Sequence, residues 1–517
     1  MKRILMLLAA AFVLGAAPPE RVDLIIRGGT IYTGADAPFV GDVAISGDRI
    51  RAVGRHLPYR AARVIDARGM IVAPGFIDPH THVGGQLQSG DAQTRLIPAF
   101  LMQGVTTAFI GNDGGGDPDL DSVLGSARRR PVGINYAAYV GFGAVREAVI
   151  GQADRAPTPA ELARMRQLVA TAMCHGAFGL STGLFYAPQS FATIEEVIAL
   201  SREAASRGGN YDSHLRDESS YSIGLVAAVD EAIRIGREAR LPVHISHIKA
   251  LGVDVQGQAP VIIAHVEAAR RAGQDVTADQ YPWSASGTSM VASLVPRWAQ
   301  DGGRPALLRR FDDPALAARL HADMAENMRR RGGPDSLLIT EGQYRGRRLS
   351  EAARALGVEP IAAAIAIIRV GDPSVVSFNQ REDDIAAFMA RSWVMTGSDA
   401  SEGHPRVFGS FARKYAEYVR RLHVLTLRQF IERSSALAAD TFHLDGRGHL
   451  RAGAFADVVV FDPRTYAARA TYEEPTLLAA GVRTVLVNGV PAVLNGALTG
   501  AAAGRSIAHV APAGSCP

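Results

Sequence analysis

A chain of 517 residues, 47% of them apolar, can bury a large core, and a net charge of +4 is mild over that length. No Lys/Arg block appears, which argues against nucleic acid as the partner. The two cysteines exclude a disulfide-dense scaffold; no disulfide is implied, and Cys174 reads as a small buried filler.

The opening MKRILMLLAAAFVLGAA sets Lys2 and Arg3 before an apolar run, Ile4 to Leu14, and ends in small residues, Gly15 to Ala17. That is the layout of a secretory signal over residues 1–17. The run is too short for the roughly 20 residues that span a bilayer. The expectation is export, to a bacterial periplasm, with no stable membrane anchor after cleavage.

Residues 22–74 alternate short β runs with Gly turns, a meander pattern. A similar pattern returns over 448–498, and the two segments are expected to pair into one small β-sandwich built from both chain ends. The Ala/Gly-rich tail after Leu494, residues 499–517 above all, reads as poorly ordered.

Between these segments, over 75–440, apolar runs alternate with stretches whose apolar residues recur at about i, i+3, i+4. GFIDPHTH, VTTAFIGND, VGINYAAYVG, AFGLSTGLFY, NYDSHLRD, PVHISHIK, DVTADQYPW and WVMTGSDA are eight candidate strands. Eight strand–helix units predict an α/β fold, a (β/α)₈ TIM-type barrel with its site at the C-terminal strand ends. One gap, about 285–392, is too long for a connection and reads as an insertion before the last barrel strand.

The strand ends carry the chemistry. His80 and His82 follow the first run at i and i+2, so both imidazoles leave one face of an extended segment. Asp113, His214, His247 and Asp399 close the second, fifth, sixth and eighth runs. Singly, each has a bland reading as a turn, cap or core residue. Together, four histidines and two aspartates on one rim point to a metal site, because six such side chains would otherwise be desolvated with one another. Nitrogen and carboxylate donors without thiolate suit Zn²⁺ first, as one or two ions, with Mn²⁺, Co²⁺ or Fe²⁺ as alternatives. A cation there lowers the pKa of bound water from 15.7 to about 7 and yields hydroxide at neutral pH. Asp399 is the candidate general base and acid.

GFIDPHTH, QGVTTAFIGND, GLSTGLFYAPQSFATIEEV, SHLRDES, VHISHIKALG, ADQYPWSAS, VMTGSDAS, HPRVFGSF and FADVVVFDP resemble, in order, the N-acyl-D-amino-acid deacylase (D-aminoacylase) family of the amidohydrolase superfamily. The resemblance covers nearly the whole mature chain. It implies a metal-bearing barrel joined to a small β-sandwich, and hydrolysis of the amide of an N-acyl-D-amino acid by metal-bound hydroxide. It assigns metal to His80, His82, His214, His247 and Asp399, with Asp399 also moving the proton. It implies a substrate carboxylate held by Lys249, Arg406, Tyr186 and Tyr281; Lys249 is one of only three lysines among 55 basic residues.

Two departures stand out. Asp113 occupies a position where the family usually has cysteine; a carboxylate there still ligates or bridges. Phe142, between Gly141 and Gly143, replaces a histidine common in the family, which puts the substrate pocket rather than the metal in question. The fourth strand has no lysine, which disfavours a carboxylated-lysine bridge of the dihydropyrimidinase kind. The alternatives are a cyclic amidase, hydantoinase-like, or a D-specific dipeptidase; a non-catalytic barrel fits least, because the ligand types all survive. The partner implied is a small molecule with an amide and a carboxylate, and oligomeric state is not encoded in these motifs.

Overall fold

The eight apolar runs become eight parallel strands, in a computed structural model that describes residues 20–516. The expected signal segment, residues 1–17, lies outside the described residues. The strands are β1 (Phe76–Asp78), β2 (Val105–Ile110), β3 (Asn135–Ala138, continued by Val140–Gly141), β4 (Gly179–Gly183), β5 (Asn210–His214), β6 (Val243–Ile245), β7 (Val276–Gln280) and β8 (Val394–Thr396). Each pairs with the next in chain order. The ring closes where Thr81 bridges Ala400 and the Asp399 N–H donates to the His80 carbonyl at 3.0 Å. Almost every strand residue is buried, as expected where side chains fill the ring inside and helices cover it outside.

The helices start on ordinary signals. Helix α1 (Pro159–Cys174) has Thr158 accepting from the Glu161 N–H while the Glu161 carboxylate accepts from the Thr158 N–H, with Pro159 at the first helical position.

Segments from both chain ends share one nine-stranded sheet. The join is Ile71–Pro74 running antiparallel to Val458–Phe461, so residues almost 390 positions apart zip directly. Phe76, the first residue of β1, packs on Phe411, Phe430 and Phe461 and thereby fastens the barrel to that sheet.

Between β7 and β8 the chain leaves the barrel. Strands Ala285–Ser289, Leu337–Ile339 and Ser374–Phe378 form a separate antiparallel sheet. Helix α2 (Pro314–Arg330) and its neighbours enclose a core of their own around Leu294, Met324, Leu337 and Ile368. No helix among the described residues is long and apolar enough to cross a membrane.

Two expectations about the chain's end are corrected. The tail is ordered: the N–H groups of Gly504, Ile507 and His509 donate to the carbonyls of Val132, Tyr136 and Gly176. Its small residues serve close approach, since a Cβ on Gly504 would lie 2.0 Å from the Ile134 carbonyl oxygen. Cys174 is no lone filler either, because Cys516 returns to it as a disulfide with Cα atoms 5.7 Å apart. Nothing local announces a pairing across 342 residues; the strap that carries Cys516 along the barrel floor creates it.

Candidate metal centre and substrate pocket

Six side chains meet at the C-terminal mouth of the ring. His80 and His82 follow β1, Asp113 follows β2, His214 ends β5, His247 follows β6 and Asp399 follows β8. They fall into two groups of potential ligands, His80–His82–Asp113–Asp399 and Asp113–His214–His247, the ligand atoms of each lying within 4.8 Å of one another.

Asp113 belongs to both groups. Its Oδ1 is 3.3 Å from His80 Nε2 and 3.6 Å from His247 Nε2. Its Oδ2 is 3.5 Å from both His82 Nε2 and His214 Nδ1. The turn that aims it is tightly fixed. Asn112 accepts from the Thr81 N–H and donates to Pro79 and Asp212, while Ser181 bonds Gly111 and Gly114. Asp113 sits at φ 56°, His247 at 34° and Asp399 at 48°. Three of the six donors thus occupy left-handed backbone that non-glycine residues seldom adopt, a strain that persists where surrounding structure imposes it.

The donor set fits a cation. Both ring nitrogens of His80, Oδ1 of Asp113 and Nε2 of His214 are buried without a hydrogen-bond partner. Burial drives the His80 imidazole down to about 3, so it stays neutral with a free lone pair. Burial and Lys249 disfavour a charged His247, but Asp399, Glu218 and Asp113 prevail and push it up to about 10. The carboxylates therefore call for positive charge at the centre, and a metal ion would supply it.

A further layer holds each group, and most of it was not foreseen from the sequence. Glu218 accepts from Lys249 Nζ at 2.6 Å and lies 3.1 Å from His247 Nδ1; burial works against its charge, but Lys249, His214 and His247 hold it ionised. Asp279, on β7, takes His244 at 3.0 Å and sits 3.9 Å from His80 Nδ1. On the other side Arg406 pairs with Asp399 Oδ2 at 2.7 Å, and Asp399 Oδ1 lies 3.1 Å from His82 Nε2. Burial opposes the Asp399 charge, yet Arg406 and His247 keep the carboxyl well below the usual range. His404 fixes Arg406 by accepting its backbone N–H on Nδ1, so its Nε2 donates to the Ala285 carbonyl.

Two cavities open beside the cluster and share Tyr186, Gly287, Thr288 and Asp399. The first, about 20 Å³ and so no roomier than a water molecule, also reaches Lys249, Tyr281 and Glu218; the second, about 260 Å³, reaches His82, Asp113 and Arg406. All four expected substrate residues therefore border the site. The Lys249 ammonium is committed to Glu218 and His247 rather than free. Tyr186 meets the Thr288 hydroxyl at 3.4 Å, and Tyr281 accepts from Gln380 at 3.0 Å. Burial above all pushes both phenols well above their usual range, leaving each a neutral hydroxyl. Phe142 lines neither cavity: it is buried in the hydrophobic core around the barrel.

A parallel barrel with this donor set at its mouth defines a metal-dependent hydrolase, and residues 63–493 match the amidohydrolase family. The chain belongs to that family. It is 35% identical to the D-aminoacylase of Alcaligenes xylosoxydans xylosoxydans, over 95% of this chain and 98% of that protein. It is 32% identical to the N-acyl-D-glutamate deacylase of the same organism, over 91% and 93% respectively. Among solved structures, a D-aminoacylase studied for its binuclear metal centre superposes with a TM-score of 0.80 at 32% identity, over 94% of this chain and all of the other. An N-acyl-D-glutamate deacylase from Bordetella bronchiseptica, complexed with zinc and a phosphonate inhibitor, also gives 0.80, at 30% identity over 95% of this chain and 100% of that one.

Proposed function

We propose that this protein hydrolyses the amide bond of N-acyl-D-amino acids, releasing a carboxylic acid and a D-amino acid. The observation that carries the reading is Asp113, whose two oxygens each face one histidine from either group. The similarity to deacylases over the whole chain supports the substrate class. His80, His82 and Asp399 would hold one cation and His214 and His247 a second, with Asp113 between them; zinc is the ion that this nitrogen and oxygen set suits best. Metal there supplies Lewis acidity and makes water nucleophilic at neutral pH.

The protein's own groups do the rest. Asp399, kept ionised by Arg406, takes the proton from the attacking water and returns it to the leaving nitrogen. Arg406 offers a planar fork of donors to the substrate's α-carboxylate, and the hydroxyls of Tyr186 and Tyr281 are neutral donors beside it. Lys249 keeps Glu218 and His247 in register.

The long segment between β7 and β8 supplies one wall of both cavities, and we read it as an insertion in the barrel domain. We read the sheet shared by the two chain ends as the small β-sandwich that accompanies it. We assign the protein to an exported compartment, a bacterial periplasm, on the signal-like residues 1–17; a disulfide suits an oxidising environment.

The test is a panel of N-acetyl-D- and N-acetyl-L-amino acids, dipeptides and hydantoins assayed with added Zn²⁺. Turnover of the D-acyl compounds is expected. Ring opening of hydantoins without deacylation would replace this reading with the cyclic-amidase one.

A further inference from the structure

The segment between β7 and β8 carries a cavity of its own, outside the metal centre. It is an open groove of about 470 Å³, bordered by the end of strand Leu337–Ile339, the helix Pro360–Val370 and the turn that joins this helix to Ser374–Phe378. Sites that hold small organic molecules run to about 300–1,000 Å³. The lining is hydrocarbon, from Ile339, Leu356, Ile367, Val370 and Pro373. Leu356 is 38% exposed and Val370 91%, so the apolar surface continues onto the rim. Among the described residues, no Lys, Arg or His lines the groove. Its two acids are already spent on backbone: Glu341 accepts from the Ser374 N–H at 3.1 Å and Asp372 from the Val291 N–H at 2.8 Å. Such a groove suits an uncharged, apolar occupant.

The groove adjoins the larger cavity beside the metal ligands. Thr340 and Ser374–Val376 line that cavity, while their chain neighbours Ile339, Glu341, Asp372 and Pro373 line the groove. A single rung separates the two, the Thr340 N–H donating to the Ser374 carbonyl at 3.0 Å. Val375, paired with Ile339, and Val376 make the cavity side of this wall partly apolar as well. Arg406, which meets the α-carboxylate in the proposed reaction, is 1% exposed and marks the closed end of the cavity. Thr340 and Ser374 are only half-buried and stand at its open side. A trans amide sends its acyl chain away from the α-carbon, hence away from Arg406 and towards that open side.

We propose that this groove receives the acyl chain of the substrate, so that the favoured substrates are N-acyl-D-amino acids with long, unbranched, apolar acyl groups. This inference rests on the deacylase reading above. An acetyl group ends inside the cavity. A longer chain crosses the Thr340–Ser374 rung and leaves water for the groove, and each methylene buried there should raise kcat/KM up to about fourfold.

The experiment measures kcat/KM of the zinc-loaded full-length enzyme for D-leucine carrying acetyl, butyryl, hexanoyl, octanoyl and decanoyl groups, each below its micelle concentration, with N-acetyl-D-2-aminodecanoate beside them. It is repeated after Ala366→Trp and Val370→Asp, at exposed positions that line the groove and neither cavity at the metal centre. In the unmodified enzyme the decanoyl compound should exceed the acetyl one about 100-fold or more, a gain carried by KM. In A366W, which fills the groove, the decanoyl-to-acetyl ratio should fall about 30-fold or more with N-acetyl-D-leucine unaffected; V370D, a charge at the rim, should lower it about fivefold. A purely structural role would lower every substrate together and leave the ratio unmoved. That result, or a flat or falling profile in the unmodified enzyme, overturns the assignment and gives the groove to another occupant, with the deacylase reading intact. A lead for the aminodecanoate that A366W abolishes gives the groove to the amino-acid side chain, and overturns it too. If none of the compounds is hydrolysed, both readings fall. Should A366W not fold, V370D and the chain-length profile of the unmodified enzyme decide the matter.

Discussion

The two ends of the barrel are built from opposite materials. At the mouth, six ionisable side chains crowd together, three on left-handed backbone and several with buried atoms that find no partner. At the floor, Ile77, Phe109, Ala137, Phe178, Met395 and the ring of Tyr139 form an apolar cluster, and Ile507 from the C-terminal strap packs against them. Every consecutive strand serves both, yet among the described residues the groups of potential metal ligands lie at the mouth alone. The contrast shows where the fold's stability resides and where it is given up. A well-packed, covalently fastened floor tolerates a mouth whose groups are costly when unoccupied.

The sharpest way to break this comparison is Asp399→Asn. It keeps the shape and removes the proton acceptor, so kcat should drop about 10³-fold or more, read by steady-state kinetics, while the loss of the buried counter-ion of Arg406 lowers the melting temperature without unfolding the chain. Retained turnover would remove Asp399 from its assigned role. Arg406→Met comes next. Deleting one member of a buried charge pair should cost about 2–5 kcal/mol in kcat/KM, with KM raised if Arg406 grips the α-carboxylate; a change confined to kcat would instead make it only a partner for Asp399.

The floor offers the complementary test. Cys516→Ser should cost about 2–4 kcal/mol of stability, seen as a lower melting temperature that reductant reproduces in the unaltered protein, with kcat unchanged. If activity fell while melting did not, the strap would belong to the site and the division between the two ends would fail. The smallest effect expected is that of Tyr281→Phe. Losing one neutral hydroxyl at the cavity wall should cost about 1 kcal/mol, or roughly fivefold in kcat/KM.

Legibility in the sequence follows the same division. The mouth could be read because strand ends are local signals: His80 and His82 declare a shared face by their spacing of two, and His214, His247 and Asp399 each close an apolar run. What holds those groups was less visible. Glu218 stands four residues beyond β5, in a loop with no periodic cue, and only its contacts with Lys249, His214 and His247 reveal its place. Asp279 is one acid in a strand buried on both faces, where alternation carries no information about direction. The floor was read worst, since an Ala/Gly-rich tail looks disordered unless the surface it must approach closely is known.

The proposed hydrolysis depends on a metal centre assembled by the six donors, and metal removal tests that dependence most directly. Chelator-treated protein should lose hydrolysis of the preferred N-acyl-D-amino acid and regain it in proportion to Zn²⁺ bound, with Asp113→Ala binding less metal than the unaltered chain. Full turnover by protein that carries no measurable metal would contradict it.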